Sequence, residues 1–147
     1  MFLNFERLFE VMNTKTITHK IVFPATPAEV YAVFTNAKIH SAATGGQATG
    51  GAKVGAAFTA WDGYISGKVI ELVPSKKVVQ EWKTTEWEEG FAPSRLELRF
   101  LGCPKGCEII MVHSGLPSAS ASSYNSGWKE FYWTPMKEYF LNKAKKK

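Results

Sequence analysis

A chain of 147 residues corresponds to one domain, able to bury about 70% of the surface its unfolded form exposes and so needing no disulfide or metal to fold. Its 45% apolar and 21% charged content is that of a soluble globular protein, and no apolar run approaches the ~18 residues needed to span a bilayer. The formal charge of +5 is concentrated in Lys143, Lys145, Lys146 and Lys147, which suit the negative end of a helix dipole; the rest of the chain is near neutral and implies no nucleic-acid partner.

Phe2, Phe5, Leu8, Phe9 and Met12 mark one helical face of an amphipathic extension over residues 1–13. Glu6, Arg7 and Glu10 interrupt any signal-peptide core, so the expected compartment is the cytoplasm. This face packs on the domain or on a neighbouring copy, leaving monomer and homodimer as alternatives. Asn13-Thr14-Lys15 reads as a fresh start, with Met12 an alternative to Met1 as the first residue. The domain itself is expected over 14–147.

Thr16 to Phe23 is rich in β-branched residues and predicts a strand, which Pro24 ends. Thr26 supplies a helix N-cap, Pro27 fits the first helical position, and Glu29 completes a capping box. Val30, Val33 and Phe34 form that helix's buried face. Asn36 caps a second short helix that stops at Gly45-Gly46. Strands then take over. Val54 to Trp61 and Tyr64 to Val73 flank Asp62-Gly63, a strong hairpin signal. Val78 to Thr84 follows the turn at Pro74, and Arg95 to Phe100 alternates strictly between wet and buried positions.

Cys103-Pro104-Lys105-Gly106-Cys107 predicts a tight turn between strands. A reversible disulfide and two free thiols are the alternatives there, and no second pair stands at zinc-ligand spacing. Glu108 to Ser114 is the last strand. Pro117 and the Ser/Ala stretch to Ser123 lead into a long helix through Gly127-Trp128-Lys129-Glu130-Phe131-Tyr132-Trp133. Strands segregated from helices define an α+β domain. The expected architecture is a curved antiparallel sheet wrapped around the long C-terminal helix, with two short helices after the first strand.

Parity sends Leu96, Leu98 and Phe100 inward, with Val78, Gln80 and Trp82, and with Ile65, Gly67 and Val69. Glu71 breaks the pattern and predicts a bulge near Ile70. From the helix, Trp128 and Tyr132 share a face that Pro135 and Tyr139 would continue. Pro135 should kink the helix, as a bend around the sheet or as a hinge. The candidate cavity set is Phe58, Ile65, Val69, Gln80, Trp82 and Leu96, with Leu98, Met111, His113, Trp128 and Tyr132. It reads either as close-packed core or as an apolar pocket for a lipid or aromatic molecule, with Gln80, His113, Tyr132 and the indole N–H groups as polar handles.

Among His19, His40 and His113, only His113 is a candidate acid or base. Asp62 is the sole aspartate and is needed by a turn, so no catalytic triad can be assembled. No catalytic residue, metal or cofactor is expected, and an enzyme acting on an aromatic or polyketide-like substrate is the weakest alternative. Glu86, Glu88 and Glu89 surround Trp87, which reads as an interface anchor or as a ring tucked over the cavity rim.

Several motifs occur in a specific order. Phe23-Pro24-Ala25-Thr26-Pro27-Ala28-Glu29-Val30-Tyr31 resembles the first strand-to-helix passage of the START-like (SRPBCC) helix-grip superfamily. Thr44-Gly45-Gly46, Asp62-Gly63-Tyr64-Ile65-Ser66-Gly67, Leu72-Val73-Pro74, Glu81-Trp82, Glu86-Trp87, His113-Ser114-Gly115-Leu116-Pro117 and the Gly127–Trp133 run resemble the activators of heat-shock-protein-90 ATPase within it. The resemblance covers about residues 16 to 142 and is to the C-terminal domain of the two-domain eukaryotic co-chaperone. It implies a helix-grip fold and a stress-response co-chaperone that works by protein contact on a heat-shock-protein-90 partner. Gly45, Gly46, Glu86, Trp87, Glu88 and Glu89 are the candidate contact residues. Binding or transport of a small hydrophobic ligand is the alternative.

Overall fold

The computed structural model describes residues 13–146. The amphipathic face from Phe2 to Met12, and the homodimer built on it, lie outside the described residues. The elements are β1 (Thr14–Phe23), α1 (Pro27–Thr35), α2 (Ala37–Thr44), β2 (Thr49–Gly50), β3 (Ala57–Ala60), β4 (Ile65–Val73), β5 (Lys77–Thr84), β6 (Ser94–Cys103), β7 (Gly106–Pro117), α3 (Ala121–Trp128) and α4 (Thr134–Lys145). The strands form one antiparallel sheet in the order β1-β7-β6-β5-β4-β3-β2. Its inner face closes around the C-terminal helix with α1 and α2. Phe23, Val30, Val33, Phe34, Met136 and Phe140 fill one end of this core.

The short helices form as their caps dictate. Thr26 Oγ1 accepts the Glu29 N–H and Glu29 Oε1 accepts the Thr26 N–H, both at 3.1 Å. Asn36 Oδ1 accepts the Ile39 N–H at 3.1 Å, and α2 ends at a left-handed Gly45. The bulge expected near Ile70 is present. Val69 pairs with Gln80 and Glu71 with Val79, so Ile70 is the extra residue.

The connection between β3 and β4 differs from the expected two-residue hairpin. Ala60 pairs with Ile65, which leaves a four-residue turn, and β3 begins at Ala57 rather than Val54. Trp61, Asp62 and Gly63 all have positive φ (48°, 61° and 89°). Such a conformation costs a non-glycine residue about 1–3 kcal/mol. Long-range bonds hold it: the Asp62 N–H donates to the Gln47 carbonyl at 3.0 Å, and Asp62 Oδ1 accepts the Gln47 N–H at 3.1 Å. The turn is thus stitched to the loop after α2, and the Trp61 ring lies over Gly46.

Gly67 is required by close approach. A Cβ there would run into the Glu81 carbonyl on β5 and stand 2.8 Å from the Phe58 ring. Gly67→Ala should therefore destabilise the domain by about 3 kcal/mol, as overpacking against backbone does. A urea midpoint unchanged from the parent would contradict this.

In the cysteine turn, Cys103 pairs with Gly106 and Gly102 with Cys107. Neighbouring positions on a strand face opposite ways, so the two thiols point away from each other and both are free. Cys107 is in the core, where burial pushes its thiol pKa up to about 11.

The C-terminal helix is continuous but not uniformly α. A π-turn over Lys129–Trp133 joins α3 to α4, and the Thr134 N–H reaches back five residues to the Lys129 carbonyl. Pro135 follows directly, where its missing N–H and its ring disfavour an α bond to residue 131. A π-turn inserts one residue. The buried face therefore runs through Trp128, Tyr132, Met136 and Phe140 rather than onto Pro135 and Tyr139, which are half-buried.

Candidate functional site

The C-terminal helix is tied to the rest of the domain by three histidines, each accepting a hydrogen bond from one of its aromatic residues. Trp128 Nε1–H donates to His113 Nδ1 on β7 at 3.1 Å. That places the ring proton on Nε2, which donates to Ser94 Oγ at 2.7 Å, and the serine in turn donates to the Trp82 carbonyl at 2.8 Å. His40 on α2 donates from Nδ1 to the Val33 carbonyl at 3.0 Å and accepts the Tyr132 hydroxyl at Nε2, 3.1 Å away. His19 on β1 accepts Trp133 Nε1–H at Nδ1, 2.8 Å, and donates from Nε2 to Asn125 Oδ1, 2.7 Å.

Burial pushes the His113 pKa down to about 3 and that of His40 down to about 4, so both rings are neutral at physiological pH. Burial likewise raises the Tyr132 hydroxyl pKa. All six ring nitrogens have structural partners. His113, the expected acid–base candidate, is a clamp on Trp128.

Trp82 is the centre of the aromatic cluster between sheet and helix. It meets His113 edge-on at 4.6 Å between centroids and Tyr124 at 5.4 Å, and stacks on Trp128 at 6.2 Å. Trp128 in turn stacks on Trp133 at 5.1 Å. Such pairs add about 0.5–1.5 kcal/mol each beyond burial.

The structure sorts the eleven expected cavity residues into four groups. Val69, Leu98, Met111 and His113 are fully buried and line neither of the two spaces that the others border. Phe58, Gln80 and Leu96 border a void of about 20 Å³, room for a single water. Ile65 borders a cleft of about 650 Å³. Trp82, Trp128 and Tyr132 line both spaces and form the wall between them.

Trp61, Tyr64, Glu86, Tyr124, Gly127 and Phe131 complete most of the cleft wall; none was in the expected cavity set, and Glu86 was expected only as a contact residue. At the mouth, Trp61 and Phe131 meet edge-on with centroids 5.4 Å apart, and Phe131 is 47% exposed. Trp61 Nε1 is buried and has no hydrogen-bond partner among the described residues. An available signal was Gly127, a helix-weakening residue in the middle of an aromatic helical run.

Trp87 is tucked over the rim. Its indole N–H donates to Tyr124 Oη at 2.7 Å, Tyr124 Oη also bonds Thr84 Oγ1 at 2.8 Å, and Phe91 packs on its outer side at 5.5 Å. Glu86, Glu88 and Glu89 are exposed beside it. Gly45 is exposed and Gly46 buried, at the loop joined to Trp61.

A curved antiparallel sheet gripping a long C-terminal helix, with an aromatic cleft between them, defines a START-like helix-grip domain. Residues 24–141 match the family model described as Activator of Hsp90 ATPase homolog 1-like protein, and the chain belongs to that family. It is 33% identical over 127 residues to the human "Activator of 90 kDa heat shock protein ATPase homolog 1"; the aligned stretch is 86% of this chain and 37% of the human protein. The chain thus spans little more than a third of that relative's length. Among solved structures, an HSP90 activator from Plasmodium falciparum superimposes with a TM-score of 0.69 at 22% identity, covering 81% of this chain and 89% of that one. The Aha1 dimer from Colwellia psychrerythraea gives 0.73 at 18% identity, covering 86% and 96%. Both likenesses show the fold.

Proposed function

We propose that this domain acts by protein contact on a chaperone of the heat-shock-protein-90 class in the cytoplasm and raises its ATPase rate. The observation that carries this reading is the 33% identity to the human activator over 86% of the chain. The site is consistent with it, because the histidines serve to lock the helix rather than to move protons. The acidic segment around Trp87 and the Gly45-Gly46 loop are the proposed contact surface. With the domain added to the chaperone, ATP turnover should rise with dose and saturate. Replacing Glu86, Glu88 and Glu89 by lysine should remove most of that rise while leaving the fold intact by circular dichroism. No change in turnover at a concentration where binding is saturated would refute the reading.

The cleft favours a second reading, in which the domain holds a small, largely apolar molecule. Its volume of about 650 Å³ falls within the range of ligand sites, roughly 300–1,000 Å³.

A further inference from the structure

We infer that the cleft takes a small organic cation with a flat aromatic or quaternary-ammonium head, an inference that rests on the ligand-binding reading of that cleft. Three observations lead there. The walls are aromatic: exposed Phe131, half-buried Trp61 and Tyr64, and buried Tyr124 and Trp128 all line it. Ring faces are the negative ends of their quadrupoles and attract cations, tryptophan most strongly. Among the described residues, Glu86 is the single charged one lining the cleft, no lysine or arginine lines it, and Glu86 has no ion-pair partner. A fatty acid or other anion would meet the Glu86 carboxylate with no compensating cation among the described lining residues. A cation would meet both attractive terms at once.

The third observation is Gly127. It sits inside α3 on the cleft wall, where a Cβ would have only the edge of the Phe131 ring within 4 Å, at 3.9 Å. Packing therefore does not require glycine, and glycine weakens a helix relative to alanine. What its missing side chain does is keep the cleft open. The left-handed Trp61, held by Asp62 and Gln47, likewise spends backbone strain to set an indole at the mouth.

The experiment compares three fluorescent probes of apolar sites on the intact chain: the cation berberine, the neutral N-phenyl-1-naphthylamine and the anion 1-anilinonaphthalene-8-sulfonate. Berberine should bind saturably and compete with the neutral probe. Glu86→Gln should weaken berberine about tenfold while changing the neutral probe less than about twofold. Gly127→Leu, which fills the cleft without breaking the helix, should abolish binding of both. If Glu86→Gln leaves berberine unchanged, or if the sulfonate binds as tightly as berberine, the charge preference is overturned while the cleft reading survives through the neutral probe and its block by Gly127→Leu. If no probe saturates, or if Gly127→Leu blocks none of them, the cleft reading itself falls.

Discussion

Trp128→Ala is expected to destabilise the domain by about 5 kcal/mol, on the scale of the whole stability of a domain this size. Trp128 is 3% exposed and stacked between Trp82 and Trp133. Removing its side chain leaves a large cavity against rigid rings, a change that costs about 3–5 kcal/mol by itself. It also strips His113 Nδ1 of its donor in a site with no exposure to water, worth roughly 1–3 kcal/mol more. Trp128→Phe separates the two contributions, since it keeps most of the ring packing and loses the N–H; about 2–3 kcal/mol is expected for it. Urea denaturation followed by circular dichroism reads both. A loss below about 2 kcal/mol for the alanine variant would show that the helix is not held mainly through this residue.

Much of the scaffold for this residue was legible because it rests on local chemistry. The alternation of Leu96, Leu98 and Phe100 needs only the two-residue period of a strand, and Glu71 betrays the bulge at Ile70 by breaking that period. Thr26, Pro27 and Glu29 make a capping box from within four residues. The misread parts depend on atoms far apart in the chain. The turn at Trp61 adopts its left-handed form through bonds between Asp62 and Gln47, so Asp62-Gly63 alone could not reveal its length.

The face of the last helix depends on the π-turn, whose extra residue replaces Pro135 and Tyr139 by Met136 and Phe140. The candidate site was half legible for the same reason. Parity correctly sends Ile65 and Trp82 inward, and helical spacing does so for Trp128 and Tyr132. Parity has nothing to say about whether inward residues meet a void or one another. Leu98 and Met111 meet packed neighbours. The open volume lies one step outward, between the Trp61 turn and Phe131, where a loop tryptophan and an exposed phenylalanine read as ordinary surface.

These tethers also make the domain sensitive to acid. His113 and His40 accept hydrogen bonds from Trp128 and Tyr132, and a ring protonated on both nitrogens has no acceptor to offer. For His113 and His40, burial lowers the folded pKa to about 3 and about 4, against 6.5 for the free side chain. A depressed histidine pKa means that the unfolded chain binds more protons than the folded one below pH 6.5. The stability contribution is therefore complete above that pH, is lost progressively as pH falls from 6.5 toward 4 and then 3, and changes no further below. With both sites contributing, the domain should lose about 4 kcal/mol between pH 7 and pH 5.

Glu97 adds to the loss only at lower pH. Its carboxyl pKa is held below 4.5, with burial opposing the lowering by Arg99 and Arg95. Urea midpoints measured at half-unit steps from pH 7 to pH 5 give the slope directly. His113→Gln and His40→Gln, which retain an acceptor and a donor but cannot ionise, should each remove about half of it. A parent protein that loses less than about 1 kcal/mol over that interval would mean that its buried rings take up protons while folded, and that the tethers to the helix are looser than their geometry indicates.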